Sequence, residues 1–108
     1  MTAPALPAPR EELASPEVCG LAGVTYRQLN YWAARGYLRP VRTGHGSGHP
    51  MLWPADEAAV ARLMARLVAA GLVVDVAARV AREHVTSPDR AAHELADGLE
   101  LLLSGSPA

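Results

Sequence analysis

The 108-residue sequence contains a single cysteine, no phenylalanine and no lysine. A lone cysteine cannot form an intramolecular disulfide and is typical of a protein in a reducing compartment. The N-terminus lacks the charged start and apolar run of a signal peptide, and no apolar stretch approaches the length that spans a bilayer. These absences argue against a disulfide-stapled secreted scaffold, so we expect a cytoplasmic protein without a membrane partner. Half of the residues are apolar, which allows the core of one small domain.

Acidic residues are missing from one long segment of the chain. The net charge of −1, taken alone, argues against a nucleic-acid binder. Residues 54–108, however, hold eight acids against five arginines. Residues 18–55 hold neither Asp nor Glu, and their arginines and histidines are Arg27, Arg35, Arg39, Arg42, His45 and His49. This asymmetry predicts a basic contact surface on an acidic body.

Patterns of metal ligands and catalytic groups are also missing. Cys19, His45 and His49 lack the paired spacing of a zinc site. No nucleophile, base and orienting group occur at recognisable spacing, and the glycine-rich segment 44–48 does not open a helix as a phosphate-binding loop would. We therefore expect neither an enzyme nor a bound metal or cofactor.

One short helix, between Thr25 and Gly36, has clear start and stop signals. The Thr25 hydroxyl can cap the first turn, and Gln28 completes the pattern of a capping box. Gly36 supplies the left-handed residue that ends a helix. The side chains that fall on the outer face offer a guanidinium, an amide and a phenol, which bond phosphates and base edges: Arg27, Asn30 and Tyr31. This pattern is typical of a DNA-recognition helix.

The segments on either side predict a helix-turn-helix and a wing. Ser15 reads as the N-cap of a preceding short helix, and Gly23 ends that helix. Residues 37–42 and 51–53 read as two brief strands around a glycine-rich tip, which make a β-hairpin. We expect residues 1–14 to form a disordered arm.

Apolar periodicity predicts three further helices. The third starts at Pro54 and ends at Gly71, the fourth ends near His84, and residues 85–103 form a C-terminal helix before a tail at 104–108. In the fifth helix, Ala92, Leu95, Leu99 and Leu102 have heptad spacing. This stripe allows either dimerisation through Leu95, Leu99 and Leu102 or folding back on the third and fourth helices. The expected fold is mainly α: a winged helix-turn-helix of about five helices with a small two-stranded hairpin wing.

Five short motifs occur in a distinctive order: Ala22–Trp32, Gly36–Pro40, Gly46–Gly48, Leu52–Trp53 and Gly71–Val73. This combination resembles the DNA-binding domain of MerR-type transcription regulators. The motifs are similar to that family's second helix, the exit from it, the wing tip, the aromatic that closes the wing, and the break between the third and fourth helices. The resemblance covers residues 15–84.

The resemblance implies a set of DNA contacts. Base and phosphate contacts come from the start of the second helix, at Thr25, Tyr26, Arg27 and Gln28. It further implies a phosphate contact from Tyr31 and a minor-groove flank from Arg42 and the wing tip. Because a guanidinium can read guanine and an amide can read adenine, we expect Arg27, Gln28 and Asn30 at base edges.

Two positions depart from the family's pattern. The family commonly has arginine where this chain has Asn30, and again in the returning wing strand, where this chain has Pro50 and Met51. We expect His45 and His49 to replace part of the lost charge, more so at lower pH.

We therefore expect a sequence-specific transcription regulator that binds double-stranded DNA. A second copy and RNA polymerase are the protein partners implied by the resemblance. Two alternatives stay open. One is an excisionase-like or architectural DNA-bending factor. The other is a protein-interaction module that has lost DNA binding, as the net charge and the missing arginines allow.

Overall fold

A computed structural model of the chain describes residues 12–42, 51–89 and 92–103. The elements in chain order are β1 (Glu12–Ala14), α1 (Ser15–Ala22), α2 (Tyr26–Ala34), β2 (Val41–Arg42), β3 (Met51–Pro54), α3 (Ala55–Ala69), α4 (Val74–Thr86), β4 (Ala92–Ala96) and β5 (Leu99–Leu102). This part of the chain is mainly helical, as expected, with four helices and two small antiparallel sheets. No helix within it is both long and apolar enough to cross a bilayer.

Helices α1 and α2 form the predicted helix-turn-helix. Gly23 ends α1 with a φ of +72°, and its N–H donates to the carbonyl of Cys19 over 2.9 Å. Thr25 is the N-cap of α2, and its hydroxyl accepts the backbone N–H of Gln28 at 3.1 Å. Both signals are short-range, which explains why the sequence predicts this turn correctly.

The end of α2 is fixed by a Schellman motif. Gly36 has a φ of +85°, and its N–H donates to the Ala33 carbonyl at 3.0 Å. The N–H of Tyr37 donates to the carbonyl of Trp32, also at 3.0 Å. These two bonds satisfy carbonyls that the helix end leaves open and direct the chain toward β2.

The N-terminal prediction is wrong for residues 12–14. They form β1, which pairs antiparallel with β3 and sets Leu13 opposite Trp53. Ser15 is the first residue of α1, and Ala14 is its N-cap. The Ser15 hydroxyl accepts the indole N–H of the buried Trp53 at 2.9 Å. The Glu17 carboxylate instead accepts the N–H of Ala14 at 2.9 Å. A buried indole needs an acceptor, and Ser15 supplies it. Residues 1–11 lie outside the described part.

The wing sheet has three strands, not two. Strand β3 is central, with β1 on one side and β2 on the other. Val41 pairs with Leu52 and Arg42 with Met51, which confirms the predicted antiparallel pair. The first wing strand is shorter than expected, since it begins only at Val41. The wing tip, with His45 and His49, lies outside the described residues.

Helix α3 packs against both α4 and α1 to enclose the core. Gly71, with a φ of +112°, marks the predicted break between α3 and α4. The helices and β3 all contribute buried side chains to this core, among them Val18, Leu29, Trp32, Trp53, Val60, Met64 and Val80. Trp32 and Trp53 thus serve packing, and the outer side of α2 is left to solvent.

The predicted fifth helix is wrong. Residues 92–96 and 99–102 form a β-hairpin in which Glu94 lies opposite Glu100 and Gly98 turns with a φ of +81°. Leu95 packs partly buried against the core, whereas Leu99 and Leu102 are 60% and 73% exposed. Heptad spacing does not apply to a strand, so dimerisation through these three leucines loses its helical basis and stays a prediction.

Two buried histidines join this hairpin to α4. His93 in β4 has its Nε2 3.2 Å from Nδ1 of His84 in α4, and its Nδ1 lies 3.2 Å from a carboxylate oxygen of Glu83. Arg79 donates to the carbonyl of Leu95 at 3.2 Å. The segment therefore folds back on α4, but as a hairpin and not as the helix that the sequence predicts.

Candidate nucleic-acid interface

Helix α2 has a buried side and a solvent side. Leu29 and Trp32 are 0% and 3% exposed and anchor the helix in the core. Tyr26 and Tyr31 are 57% and 55% exposed, and Arg27 is also exposed. The polar groups of α2 that can meet a ligand thus face away from the fold.

The sequence-predicted contacts fall into two groups. The structure brings together on α2 and its cap Thr25, Tyr26, Arg27, Gln28, Asn30 and Tyr31. Within this set, Gln28 and Asn30 are half-buried and the other four are exposed. The backbone of Arg42 lies in β2, but its side chain, His45 and His49 fall outside what the structure describes. The helix part of the site is therefore assembled by one element.

Arg35, at the end of α2, lies close to two tyrosine rings. Its Cζ atom is 6.0 Å from the centroid of the Tyr31 ring and 6.0 Å from the centroid of the Tyr37 ring. Both distances fall within the range of a cation–π interaction. The exposed guanidinium is therefore held close to the solvent side of the helix.

A partly buried ion pair holds the segment that leaves α2. The Glu57 carboxylate, on a residue that is 8% exposed, accepts two bonds from the Arg82 guanidinium at 2.6 and 2.9 Å. The same carboxylate accepts the backbone N–H of Arg39 at 2.6 Å. Arg82 also donates to the carbonyl of Tyr37 at 3.1 Å. Residues 37–39 are thus clamped to α3 and α4, which explains why β2 starts only at Val41.

The pair is charged in the folded chain. Burial alone raises the pKa of Glu57, but the hydrogen bonds from Arg82 and the Arg39 backbone, with the charges of both arginines, outweigh it and lower that pKa. The hydrogen bond to Glu57 raises the pKa of Arg82, against a smaller opposing effect of burial. The positive charge of Arg82 therefore balances the negative charge of Glu57 where this carboxylate approaches the basic segment.

Sequence reasoning missed Glu57 and Arg82 as supports of the site. Glu57 reads from the sequence as an acid in the first turn of a helix, which needs no other explanation. Its partner lies 25 residues away, so no local pattern connects them. No group of three or more metal-ligating side chains is arranged to hold a metal ion within residues 12–42, 51–89 and 92–103.

Comparison with known protein families identifies the part of the chain that contains these helices and the β2–β3 pair. The family model described as MerR HTH family regulatory protein matches residues 14–84. The chain belongs to the MerR family. The match runs from the end of β1 to the last turns of α4 and leaves the C-terminal hairpin outside.

Two relatives are uncharacterized HTH-type transcriptional regulators, Mb1861 of Mycobacterium bovis and Rv1830 of Mycobacterium tuberculosis. Each is 37% identical to this MerR-family chain over 71 residues, which is 65% of this chain. The aligned region is 31% of the relative in both cases, so the chain spans about a third of their length.

Proposed function

We propose that this chain binds double-stranded DNA sequence-specifically and regulates transcription, with α2 as the recognition helix in a major groove. One observation carries the proposal. Leu29 and Trp32 bury one side of α2, while Arg27 and Tyr31 stand exposed on the other, in a segment without acids. An exposed, positively charged helix of this kind fits the phosphate-lined major groove.

The side chains near the start of α2 have the chemistry to read bases. Recognition helices contact base edges with their N-terminal residues. Arg27 can bond guanine in a bidentate manner, and the amides of Gln28 and Asn30 can do so with adenine. The Thr25 hydroxyl already accepts the N–H of Gln28, which leaves its own O–H to donate to a phosphate.

The wing and the partners extend the proposal. Arg42 at the end of β2, with His45 and His49 in the tip, would flank the neighbouring minor groove. MerR-family regulators typically bind duplex DNA as dimers, so we propose a second copy as partner, with the exposed Leu99 and Leu102 as candidate contacts. RNA polymerase is the further partner that promoter regulation would require.

Selection from a random duplex library tests this function without knowledge of the target. The wild-type chain should enrich a defined sequence, and its affinity for that duplex should fall linearly in a plot of log affinity against log salt. Arg27→Gln should lose both affinity and the preference for one base pair. Arg62→Gln, a change of another exposed arginine on α3, is the matched control and should keep both.

The other outcomes identify the alternatives. Negligible affinity for duplex DNA even at low salt would favour a protein-interaction module. Binding that bends DNA at a recombination junction, with sites mapped away from promoters, would favour an excisionase-like or architectural factor.

A further inference from the structure

Arg35 makes two aromatic contacts that its position at a helix end does not by itself require. A cation in the last turn of a helix already interacts favourably with the helix dipole. Here the guanidinium is also within 6.0 Å of two ring centroids, those of Tyr31 and Tyr37. Tyr31 lies one turn before Arg35 in α2, and Tyr37 follows the Schellman turn at Gly36.

The aromatic contacts hold the guanidinium near the two rings without neutralising its charge. A cation–π contact attracts the guanidinium to the face of the ring and uses none of its five N–H donors in a hydrogen bond to an acceptor. No carboxylate in the described part of the chain forms an ion pair with Arg35, whereas Arg79 and Arg82 are paired with Glu83 and Glu57. Arg35 therefore keeps its donors and its full charge for an external anion.

The position of Arg35 selects a phosphate over a base. Arg27, Tyr31 and Arg35 are spaced four residues apart, so they form a line of about 12 Å along one side of α2. Since bases are read near the start of a recognition helix, the end of this line lies toward the DNA backbone. An arginine held by its neighbours also loses less side-chain entropy when it binds.

We propose that Arg35 is an additional phosphate-contacting residue and that the Tyr31 and Tyr37 rings position it. This inference rests on the proposed function, and it concerns a residue that neither the motif nor the resemblance assigns to DNA. Tyr37 is also held by its backbone: its carbonyl accepts a hydrogen bond from the Arg82 guanidinium, which fixes this residue to α4.

Binding of the full chain to a duplex of arbitrary sequence, measured against salt, tests the contact. Arg35→Gln should lower the slope of log affinity against log salt by about 0.9, the value for one phosphate contact. The loss should be equal for every duplex sequence, because a phosphate carries no sequence information. Arg62→Gln should leave the slope unchanged.

A double-mutant cycle tests the positioning role. Tyr37→Leu should weaken binding about two- to five-fold in the wild-type background, as expected for the loss of a cation–π contact at an exposed site. In the Arg35→Gln background the same change should have no further effect. Tyr37→Phe keeps the ring and should bind like wild type, which separates positioning from general damage to the fold.

The outcomes distinguish this inference from the proposed function. If Arg35→Gln behaves like Arg62→Gln while Arg27→Gln weakens binding, the inference is wrong and the recognition helix stands. If Tyr37→Leu weakens binding equally in both backgrounds, the rings do not position Arg35. If the wild-type chain binds no duplex at low salt, both the function and the contact are overturned.

Discussion

Trp53 donates its indole N–H to the hydroxyl of Ser15 over 2.9 Å, across 38 residues of sequence and inside the core. The bond joins the central wing strand β3 to the start of the helix-turn-helix. It fixes the position of β3 relative to α1 and so helps to align the three-stranded sheet with the helix-turn-helix.

Removal of this acceptor should destabilise the fold. Ser15→Ala leaves the buried Trp53 N–H without its partner, which costs about 1–3 kcal/mol. For a domain of this size, Tm should fall by about 4–8 °C for each kcal/mol. Thermal unfolding followed by circular dichroism measures the shift. In a Trp53→Phe background, which has no N–H to satisfy, Ser15→Ala should cost clearly less; an equal cost in both backgrounds would contradict the bond.

The Glu57–Arg82 pair should make stability depend on acid pH. Because folding lowers the pKa of Glu57, the unfolded chain takes up a proton at higher pH than the folded chain does. The stabilisation is complete above the unfolded pKa, near 4.5, and is lost as the pH falls through the lower folded pKa. Glu57→Gln should thus destabilise the chain at neutral pH, by about 1–3 kcal/mol, and the gap from wild type should shrink in acid.

Urea denaturation between pH 7 and pH 3 measures this gap. Asp56→Asn is the control, since it removes the neighbouring acid, which is exposed, from the same turn of α3. If the difference in free energy of unfolding between wild type and Glu57→Gln stays constant or grows toward low pH, Glu57 is not held in its charged form.

Gly98→Ala distinguishes a C-terminal hairpin from a C-terminal helix by the sign of its effect. In a helix the change would stabilise the chain by about 0.8–1 kcal/mol. At a φ of +81°, in the turn between β4 and β5, it should instead destabilise it by about 1–2 kcal/mol.

Gly20→Ala is the matched control for Gly98→Ala. Gly20 lies inside α1, and an added Cβ would meet nothing within 4 Å. It should stabilise the chain by about 0.5–1 kcal/mol. Stabilisation by both changes, measured by chemical denaturation, would restore the C-terminal helix and its heptad stripe.

The parts of the fold that sequence predicts correctly have short-range signals. Thr25 caps α2 three residues before its donor, and Gly23, Gly36 and Gly71 each end a helix within one turn. The split of α2 into a Leu29 side and an Arg27 side follows from helical periodicity alone. Such signals need no knowledge of the rest of the chain.

The prediction of a C-terminal helix is wrong because the segment fits two patterns, and the sequence analysis follows the helical one. The spacing of Leu95, Leu99 and Leu102 matches a heptad, but the same segment alternates in strand fashion around Asp97 and Gly98. An Asp-Gly pair between alternating residues is a strong hairpin signal. That signal was present in the sequence and would have predicted the turn correctly.

Other features have no local signal. Strand β1 exists because β3 pairs with it 40 residues later, and Leu13 is its only large apolar residue. The ion pair between Glu57 and Arg82 likewise joins residues that are 25 positions apart and that only the tertiary fold brings together.

The most direct test of the central claim is an NMR titration of the ¹⁵N-labelled chain with duplex DNA at low salt. We expect the backbone amide shifts of residues 25–37, and those around Val41 and Arg42, to change. The amides of the C-terminal hairpin should stay where they are. Changes confined to α4 and residues 92–102, or no change at all, would contradict the assignment of α2 as a DNA-recognition helix.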